Sequence, residues 1–513
     1  MAIAQRFTTY RVMRPLKLLD FSGGWNLRDA PSELAENESP DLLNVQLDPR
    51  GGVIKRLGYD RIGSGTVLSA APSNIFYWDT NDRFIVQVGA TVYSTQNFVT
   101  FTSIHTYSDA SIAAFCDFQN RLVAVHPTDK VAVWDGTTWT AISDSPRGNC
   151  IAAWQNKVWV SGDPSAVTRV YACNAGDPTV WTLANDYNDM NDKDHLPVTA
   201  IGGGQGMDVA GRPGLLVYKE AWTGRINDAK AGTTFGQYTT LSNIAGASGP
   251  QAVTTAQNGV TISINRKGIW ATNGQSIPAS VSDKISPLFR SNQLNYGRSD
   301  KWCADQSLDA VVFSISRIGS NVNNLTLEYN PVTGSIVPQG MGFSSFTVYS
   351  KSGHELLGAS PSEGKVFYVY RGWDDNGTLI ASRFLTRWIE PQAGYMVRLR
   401  RARVEARGEF TFRPQYDYLL DSTADSWTFD ASLDTPLWGH PLWDHFNWTG
   451  NPSEAFQDLY SLGVGKAVAF EITENSRMSA FRRKLLEGST TSEEVGSFAM
   501  YSILLDYVRL GYA

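Results

Sequence analysis

Arg121-Leu122-Val123-Ala124-Val125-His126, a short polar turn, and then Lys130-Val131-Ala132-Val133-Trp134-Asp135-Gly136 form the stretch on which the fold turns. An apolar run, a turn and a second apolar run ending near an aromatic and a glycine is how an antiparallel strand pair is written. The same grammar recurs along the chain. Arg83-Phe84-Ile85-Val86-Gln87-Val88 comes first, and 157–161 is followed by 168–172. Next, 214–218 precedes Trp222-Thr223-Gly224, 260–264 precedes 268–274, 309–315 precedes 325–329, and 365–370 closes the series. The seven runs begin at 83, 121, 157, 214, 260, 309 and 365. A four-stranded propeller blade takes roughly 40–50 residues, and loop insertions account for the longer intervals. The spacing predicts an all-β chain with a β-propeller of six or seven blades over 65–390, its flat sheets stacked face to face. A multi-sheet sandwich is the alternative the same runs allow.

Composition agrees with a globular β protein. Of 513 residues, 42% are hydrophobic, 12% aromatic and 18% charged, which excludes disordered, collagen-like and low-complexity chains. The net charge of −6 gives no global reason to grip nucleic acid, although it is compatible with lining a passage through which nucleic acid slides. There is no run of about 18 apolar residues, so no membrane span is expected. The N-terminal segment lacks an apolar core and a small-residue cleavage site, and synthesis in the cytoplasm without a cleaved export signal is expected. Cys116, Cys150, Cys173 and Cys303 have no CxxC spacing and read as buried free thiols.

The grammar differs at both ends. Residues 1–64 read as an extended arm carrying a hairpin, with 42–48 and 53–56 as its strands around Arg50-Gly51-Gly52. Residues 391–513 read as a C-terminal β-sandwich, with strands near 395–406, 409–413, 468–472 and 501–508 and a Trp-rich loop from Trp427 to Trp448. The one dense basic stretch is Arg398, Arg400, Arg401, Arg403 and Arg407. Strand alternation puts 398 and 400 on one face and 401, 403 and 407 on the other. Three readings stay open for it: a solvated edge strand, a salt-bridged contact with a neighbouring subunit, and a DNA-facing ring.

No stretch carries a recognisable catalytic motif: GxSxG, the Walker A loop and HExxH are absent. His440-Pro441-Leu442-Trp443-Asp444-His445 reads as a Trp-packed loop rather than a metal site. Residues 185–194, rich in Asp and Asn, lack the glycine and distal Glu of an EF-hand and read as a solvated loop rather than a calcium site. Trp134-Asp135-Gly136-Thr137-Thr138-Trp139 reads as an Asp-Gly hairpin turn flanked by tryptophans that pack between blades. Gly202-Gly203-Gly204-Gln205-Gly206 reads as a flexible loop. No catalytic residue, cofactor or metal is expected.

Three N-terminal motifs do resemble a known family. Phe21-Ser22-Gly23-Gly24-Trp25-Asn26-Leu27-Arg28-Asp29-Ala30-Pro31, then Ser39-Pro40-Asp41-Leu42-Leu43-Asn44-Val45, then Gly51-Gly52-Val53-Ile54-Lys55-Arg56-Leu57-Gly58-Tyr59, are similar to the opening of β-propeller tail proteins of bacteriophages. These are the nozzle-type proteins of short-tailed phages and the minor tail proteins of long-tailed ones. Leu57 stands where a proline often follows the Lys-Arg pair. The resemblance implies a non-enzymatic structural protein of the virion tail, at the distal tip or nozzle. Its implied partners are other tail proteins and copies of itself in a ring or tip assembly, for host attachment and genome ejection, with transient passage of DNA. It marks Gly23, Gly24 and Gly58 for backbone shape, Asn26, Asp29 and Asn44 as turn or cap hydrogen-bonders, and Arg56 as an interface contact; Arg398, Arg400, Arg401 and Arg403, outside the motifs, are further interface candidates by their charge. The competing expectation is a carbohydrate-binding or carbohydrate-cleaving propeller directed at host surface glycan, suggested by the tryptophans.

Overall fold

The computed structural model describes residues 16–63, 68–191, 194–207, 213–227, 238–256, 258–290, 292–307, 310–391, 393–407, 409–420, 425–430, 455–474 and 499–512. By contacts the chain forms two units. One comprises 59–331 and 339–371; the other takes 1–58, 332–338 and 372–513.

The first unit holds seven antiparallel sheets among the described residues, most of four strands, following one another along the chain. Sheet one runs Asn74–Trp78, Arg83–Val88, Thr91–Thr95, Thr102–Thr106, and sheet two runs Ala114–Phe118, Arg121–Val125, Ala132–Trp134, Trp139–Ala141. The first strands of the remaining sheets are Cys150–Trp154, Ala200–Met207, Val253–Thr255, Cys303–Gln306 and Phe346–Tyr349. Each first strand lies against the first strand of the next sheet, and Phe346–Tyr349 returns to Asn74–Trp78. The seven therefore form a closed ring, which is the arrangement of a β-propeller. The seventh sheet is completed by Tyr59–Arg61, which pairs with Val366–Val369 through Arg61↔Phe367, Asp60↔Tyr368 and Tyr59↔Val369. Strands from opposite ends of the ring's sequence thus share a sheet and close it.

Why these runs are the legible ones follows from burial. The second strand of a sheet has a strand on each side and a sheet over each face. Lys157–Ser161, Thr261–Asn265 and Val311–Ile315 are buried at every position. Six of the seven apolar runs are such second strands; the run at 365 is a third strand, preceded in its sheet by Glu355–Ala359. The hydrophobic clusters lie between consecutive sheets. One joins Trp78, Ile85 and Val92 of sheet one to Phe115, Leu122 and Trp134 of sheet two. Another joins Val123 and Val133 to Val158, Val160 and Tyr171 of sheet three. The long interval after 157 contains a fifth strand, Tyr187–Asp189, paired with Arg169–Asn174.

The glycine-rich run 202–206, expected as a loop, is part of the first strand Ala200–Met207 and pairs with Pro213–Lys219. Strands crowd most closely around the axis, and a Cβ on Gly202 would sit 3.3 Å from Val253 Cγ1 of the next first strand; small residues suit that approach.

A turn device also repeats. At the turn from the third to the fourth strand of sheets one, two, three and five, an Asn or Asp side-chain oxygen accepts from the chain just ahead of it; in sheet three it is Asp177, the first residue of the fourth strand. Asn97 Oδ1 takes the N–H of Val99 (2.9 Å) and Thr100 (3.2 Å). Asp135 Oδ1 takes Thr137 N and Thr138 N (both 2.7 Å). Asp177 takes Thr179 N (3.0 Å) and Asn273 takes Gln275 N (3.0 Å). These are Asx turns, which occupy backbone donors that the strand ends leave free.

The second unit is built differently. One of its sheets runs Ala455–Gly465, Tyr395–Arg407, Ala499–Tyr512, Val53–Lys55, Val45–Leu47, with Leu16–Leu18 also paired to Ala499–Tyr512. The other runs Trp427–Asp430, Glu409–Tyr416, Val468–Thr473, Arg383–Leu385, Asp41–Leu43. A single hydrophobic cluster is drawn from both sheets: Leu18, Phe21, Leu42, Val45 and Val53 pack with Phe384, Val404, Phe412, Phe470 and Leu505. Burying such a side chain is worth about 1.5–3 kcal/mol. The grouping by contact thus departs from the sequence-based boundaries at 64 and 391. Residues 16–58 supply strands and core side chains to the same unit as the C-terminal strands, because their apolar positions join one cluster with Phe384, Val404, Phe412, Phe470 and Leu505.

Candidate functional site

The residues that carry the family resemblance converge within the second unit. Gly24-Trp25 runs parallel to Glu38-Ser39. Gly24 has φ +80, and a Cβ there would meet Ser335 Cβ at 2.8 Å; one on Gly23 would lie 2.7 Å from Asn37 Oδ1. Both positions need glycine. Asn26, only 2% exposed, is fully engaged. Its Nδ2 donates to Glu38 Oε2 (2.7 Å) and Asp29 Oδ2 (2.8 Å), and its Oδ1 accepts from Arg28 N (3.0 Å) and Asp29 N (3.1 Å). Glu38 Oε2 also accepts from Ala35 N (3.0 Å). The segment 23–39 is thereby folded into a closed turn.

A second cluster joins Asn44, Arg56 and Gly58 to the segment 372–382. Asn44 adopts φ 57, a conformation Asn tolerates better than most residues. Its Nδ2 donates to Ala381 O (2.8 Å), its Oδ1 accepts from Arg56 Nε (3.0 Å), and its carbonyl accepts from Ser382 Oγ (3.0 Å). Arg56 is 1% exposed. Its Nη1 and Nη2 donate to Asp375 Oδ1 (2.8 Å) and Oδ2 (2.6 Å) in a bidentate fork. A Cβ on Gly58 would lie 1.9 Å from Asp374 O. Beside this cluster Lys55 Nζ and Glu474 Oε2 form an ion pair at 2.5 Å with both side chains buried. Arg56, expected as an interface contact, is instead buried with both ends of its guanidinium on Asp375. Its guanidinium is consumed inside its own chain, where an unpaired charge is costly. Glu38, Asp375 and Glu474, the partners, carry no motif signal. The Asp374-Asp375-Asn376-Gly377 run reads as a turn, and nothing local ties it to Arg56.

The arginine strand Tyr395–Arg407 is not at an edge. It lies between Ala455–Gly465 and Ala499–Tyr512, so the solvated-edge reading does not hold. Arg401 pairs with Asp506, Nη2 to Oδ2 2.6 Å.

Among the described residues, the propeller unit shows a cleft and an axial cavity. The first is a cleft of about 430 Å³ between sheets one and two, lined by Arg83, Ser94, Asn97, Thr100, Thr102, Ser103 and Thr137 among others. It is rich in hydroxyl and amide groups, and the Arg83 guanidinium stands 5.6 Å over the Trp134 ring. The second is the axial cavity, about 170 Å³, to which every sheet contributes: Ile75, Phe115, Ile151, Ile201, Val253, Ala304 and Phe346. That volume equals about six waters, and the apolar side chains share the lining with Asn74, Asn149, Gln251 and Ser345.

Other sequence candidates resolve into structural roles. Trp134 packs on Trp78 (5.2 Å) and Trp139 stacks on His105 (4.6 Å), both across sheets one and two. Among the described residues of 185–194, Asp189 accepts from Thr168 Oγ1 (2.6 Å) and Asp194 pairs with Lys219 (2.5 Å), so these carboxylates serve the fold. The four cysteines are buried and free, and burial pushes the Cys116, Cys150 and Cys303 thiols well up. His440, His445, Trp438, Trp443 and Trp448 lie outside the described residues. No helix among the described residues is long and apolar enough to cross a membrane.

No family model matches the chain, and no curated protein matches it. Solved structures similar to it include the WD40 repeats of RRP9, at 8% identity over 62% of this chain and 99% of that one, with a TM-score of 0.41. Virginiamycin B lyase from Staphylococcus aureus matches at 11% identity over 62% of this chain and 100% of that one, TM-score 0.41. The computationally designed Ika8 protein matches at 11% over 60% and 100%, TM-score 0.36. Each is a likeness of fold at low similarity, and the propeller assignment rests on the closed ring of strands.

Proposed function

We propose that this chain is a non-enzymatic structural component of a bacteriophage tail, acting at the distal tip or nozzle and assembling with other tail proteins and with copies of itself in the virion. In the same reading the seven sheets are the blades of a seven-bladed propeller, and the two sheets of the other unit are a β-sandwich shared by both chain ends. The observation that carries the proposal is the use made of the N-terminal motifs. Gly23, Gly24, Asn26, Asn44, Arg56 and Gly58 are the residues by which the chain resembles phage tail proteins, and all six lie in buried or sterically closed positions that fix one fold of the segment. A motif required by the fold travels with that fold.

Gold-labelled antibody imaging of intact particles from the source tests it. Label at the far end of a tail is the expected result; abundant protein in the lysate with unlabelled particles would sink the proposal. The second reading, a carbohydrate-binding propeller, is favoured by the polar cleft between sheets one and two, whose clustered hydroxyls, amides and Arg83 suit a polyhydroxylated ligand. Retention of host envelope glycan, lost in an Asn97→Ala/Thr100→Ala variant, would establish that reading; release of sugar would make the protein an enzyme.

A further inference from the structure

Strand alternation places Arg398 and Arg400 opposite Arg401 and Arg403, but the structure puts a β-bulge between them. Leu399 pairs with Tyr507 and Arg401 with Asp506, so Arg400 is an extra residue on its strand. One inserted residue reverses the parity of everything after it. The buried positions are accordingly Val397 and Leu399 before the bulge, and Ala402, Val404 and Ala406 after it. Arg398 and Arg400 are exposed and Arg401 and Arg403 half-buried. All four thus lie off the core, on the outward side of one strand. The bulge sums two short arginine pairs into one row.

The neighbours extend the face. Lys17, exposed, pairs with Leu504, which itself pairs with Arg403. Tyr460, 61% exposed, pairs with Arg401 on the other side. The acids that the strand register places on this face are Asp506, paired with Arg401, Asp458, opposite Arg403, and Glu405, which accepts from Ser502 Oγ (2.7 Å), against Lys17 and the four arginines. The local balance is basic in a chain whose net charge is −6. Screening within about 8 Å at physiological salt lets a local face act independently of that total.

We infer that this outward face binds the phosphodiester backbone of a nucleic acid. Guanidinium forks match phosphate oxygens two at a time. Arg398 and Arg400 stand about 6.7 Å apart along the strand, a spacing suited to a linear polyanion, while Arg401 and Arg403 face Asp506 and Asp458 across the sheet. Tyr460 beside it offers a ring on which a base stacks, as on other single-strand binding surfaces. The arginine row exists whether or not the tail-assembly reading holds, and the two fail separately.

The test is fluorescence anisotropy of the full chain with a labelled oligothymidylate of roughly 20 nucleotides, titrated across salt, with polyglutamate as competitor. Binding is expected at about 50 mM salt, with affinity falling as salt rises at a log–log slope of about −0.7 per phosphate engaged. Arg398→Gln/Arg400→Gln is expected to weaken binding at least tenfold and reduce the slope by about 1.4, while Arg121→Gln, an exposed arginine of the propeller, leaves both unchanged. Both target side chains are exposed, so an unchanged circular dichroism spectrum is expected of the double variant. Three results would each overturn the inference: no binding at low salt, binding unaffected by the double variant, and displacement of the oligonucleotide by an equal charge concentration of polyglutamate, which would make the face a site for an acidic protein.

Discussion

The two units of this chain solve the same problem, how to cover both faces of β-sheets, in opposite ways. In the propeller nearly every described strand pairs with its neighbour in sequence, sheet after sheet, and among the described strands only Tyr59–Arg61 comes from afar. In the other unit the decisive pairs are remote: Leu16 with Leu505, Leu43 with Arg383, Val53 with Met500. Local pairing leaves a periodic trace in the sequence, because every sheet repeats the same requirement. Remote pairing leaves none, and has to be held by individual contacts between segments that meet once.

The largest expected effect comes from cutting such a contact. Arg56→Ala leaves Asp375 without its bidentate partner and Asn44 Oδ1 without its donor. Removing one member of a buried pair costs about 3–5 kcal/mol. In denaturant titrations followed by fluorescence, the loss is expected in the unfolding of the sheets that contain 41–55 and 383–512, with the propeller's transition unmoved. Arg56→Ala/Asp375→Ala should recover part of the loss, since no charge is then left alone. Equal movement of both transitions would show that the contrast between the units has no energetic content. The same result bears on residues 1–58, whose removal is expected to unfold that unit rather than release a detachable arm.

A smaller effect is expected at Gly24. Ala at φ +80, with its Cβ against Ser335, carries backbone strain of about 1–3 kcal/mol. Gly334→Ala, also at positive φ but with open space where the Cβ would go, carries strain without the clash, so the difference between the two variants in midpoint denaturant concentration measures the close approach alone.

How much of this was legible follows from the same contrast. The runs at 83, 121, 157, 214, 260 and 309 stand out because second strands are covered on both faces. First strands escaped notice because the axis admits small and polar residues: Ala200–Met207 is half glycine, and Cys303–Gln306 carries Asp and Gln. The last interval was read from a third strand because its second strand, Glu355–Ala359, opens on Glu and holds Gly358, where a Cβ would lie 2.4 Å from the Phe343 ring. At the candidate site, Gly23, Gly24, Asn26 and Asn44 could be read as turn formers from residue type. The fate of Arg56 could not, since Asp375 is 319 residues away. The arginine row was misread for a subtler reason. Period-two reasoning is correct on either side of Arg400 and fails across it, and a bulge has no residue signature here.

Within the propeller, His126 offers a loss confined to a pH window. It is buried and stacked on Tyr107 (4.1 Å), donates from Nε2 to Ser111 O (3.1 Å), and accepts at Nδ1 from Thr128 N and Asp129 N (both 3.3 Å). Protonation would set a donor at Nδ1 against two donors. Burial lowers its pKa, opposed by the carboxylates of Asp109 and Asp129. An unfolded histidine titrates near 6.5, so below that pH the unfolded chain takes up a proton that the folded chain resists. The stabilisation is complete above about 6.5 and is lost as pH falls from there through the lowered folded value. Asp109, held down to about 2 chiefly by the Thr128 hydroxyl, stays ionised throughout. The propeller's unfolding midpoint is expected to fall between pH 7.5 and 5, and less steeply in His126→Gln. His105, also lowered by burial, retains its own share in that variant. An unchanged slope would remove His126 from the account.

The smallest effect tests whether the propeller's repetition is energetic or merely geometric. Asn97 and Asn273 occupy the same turn in sheets one and five, each accepting two backbone N–H groups. Either change to Ala removes those bonds at an exposed loop, at a net cost of about 0.5–1.5 kcal/mol. Because the two turns lie in different sheets and share no partner, the costs should add within about 0.5 kcal/mol in the double variant. Additivity would mean that each sheet carries its own turn and that the ring is held by what lies between sheets. A double variant much less stable than the sum would mean that the closed ring transmits a local loss around itself, which the remote pairs of the other unit, each meeting once, have no means to do.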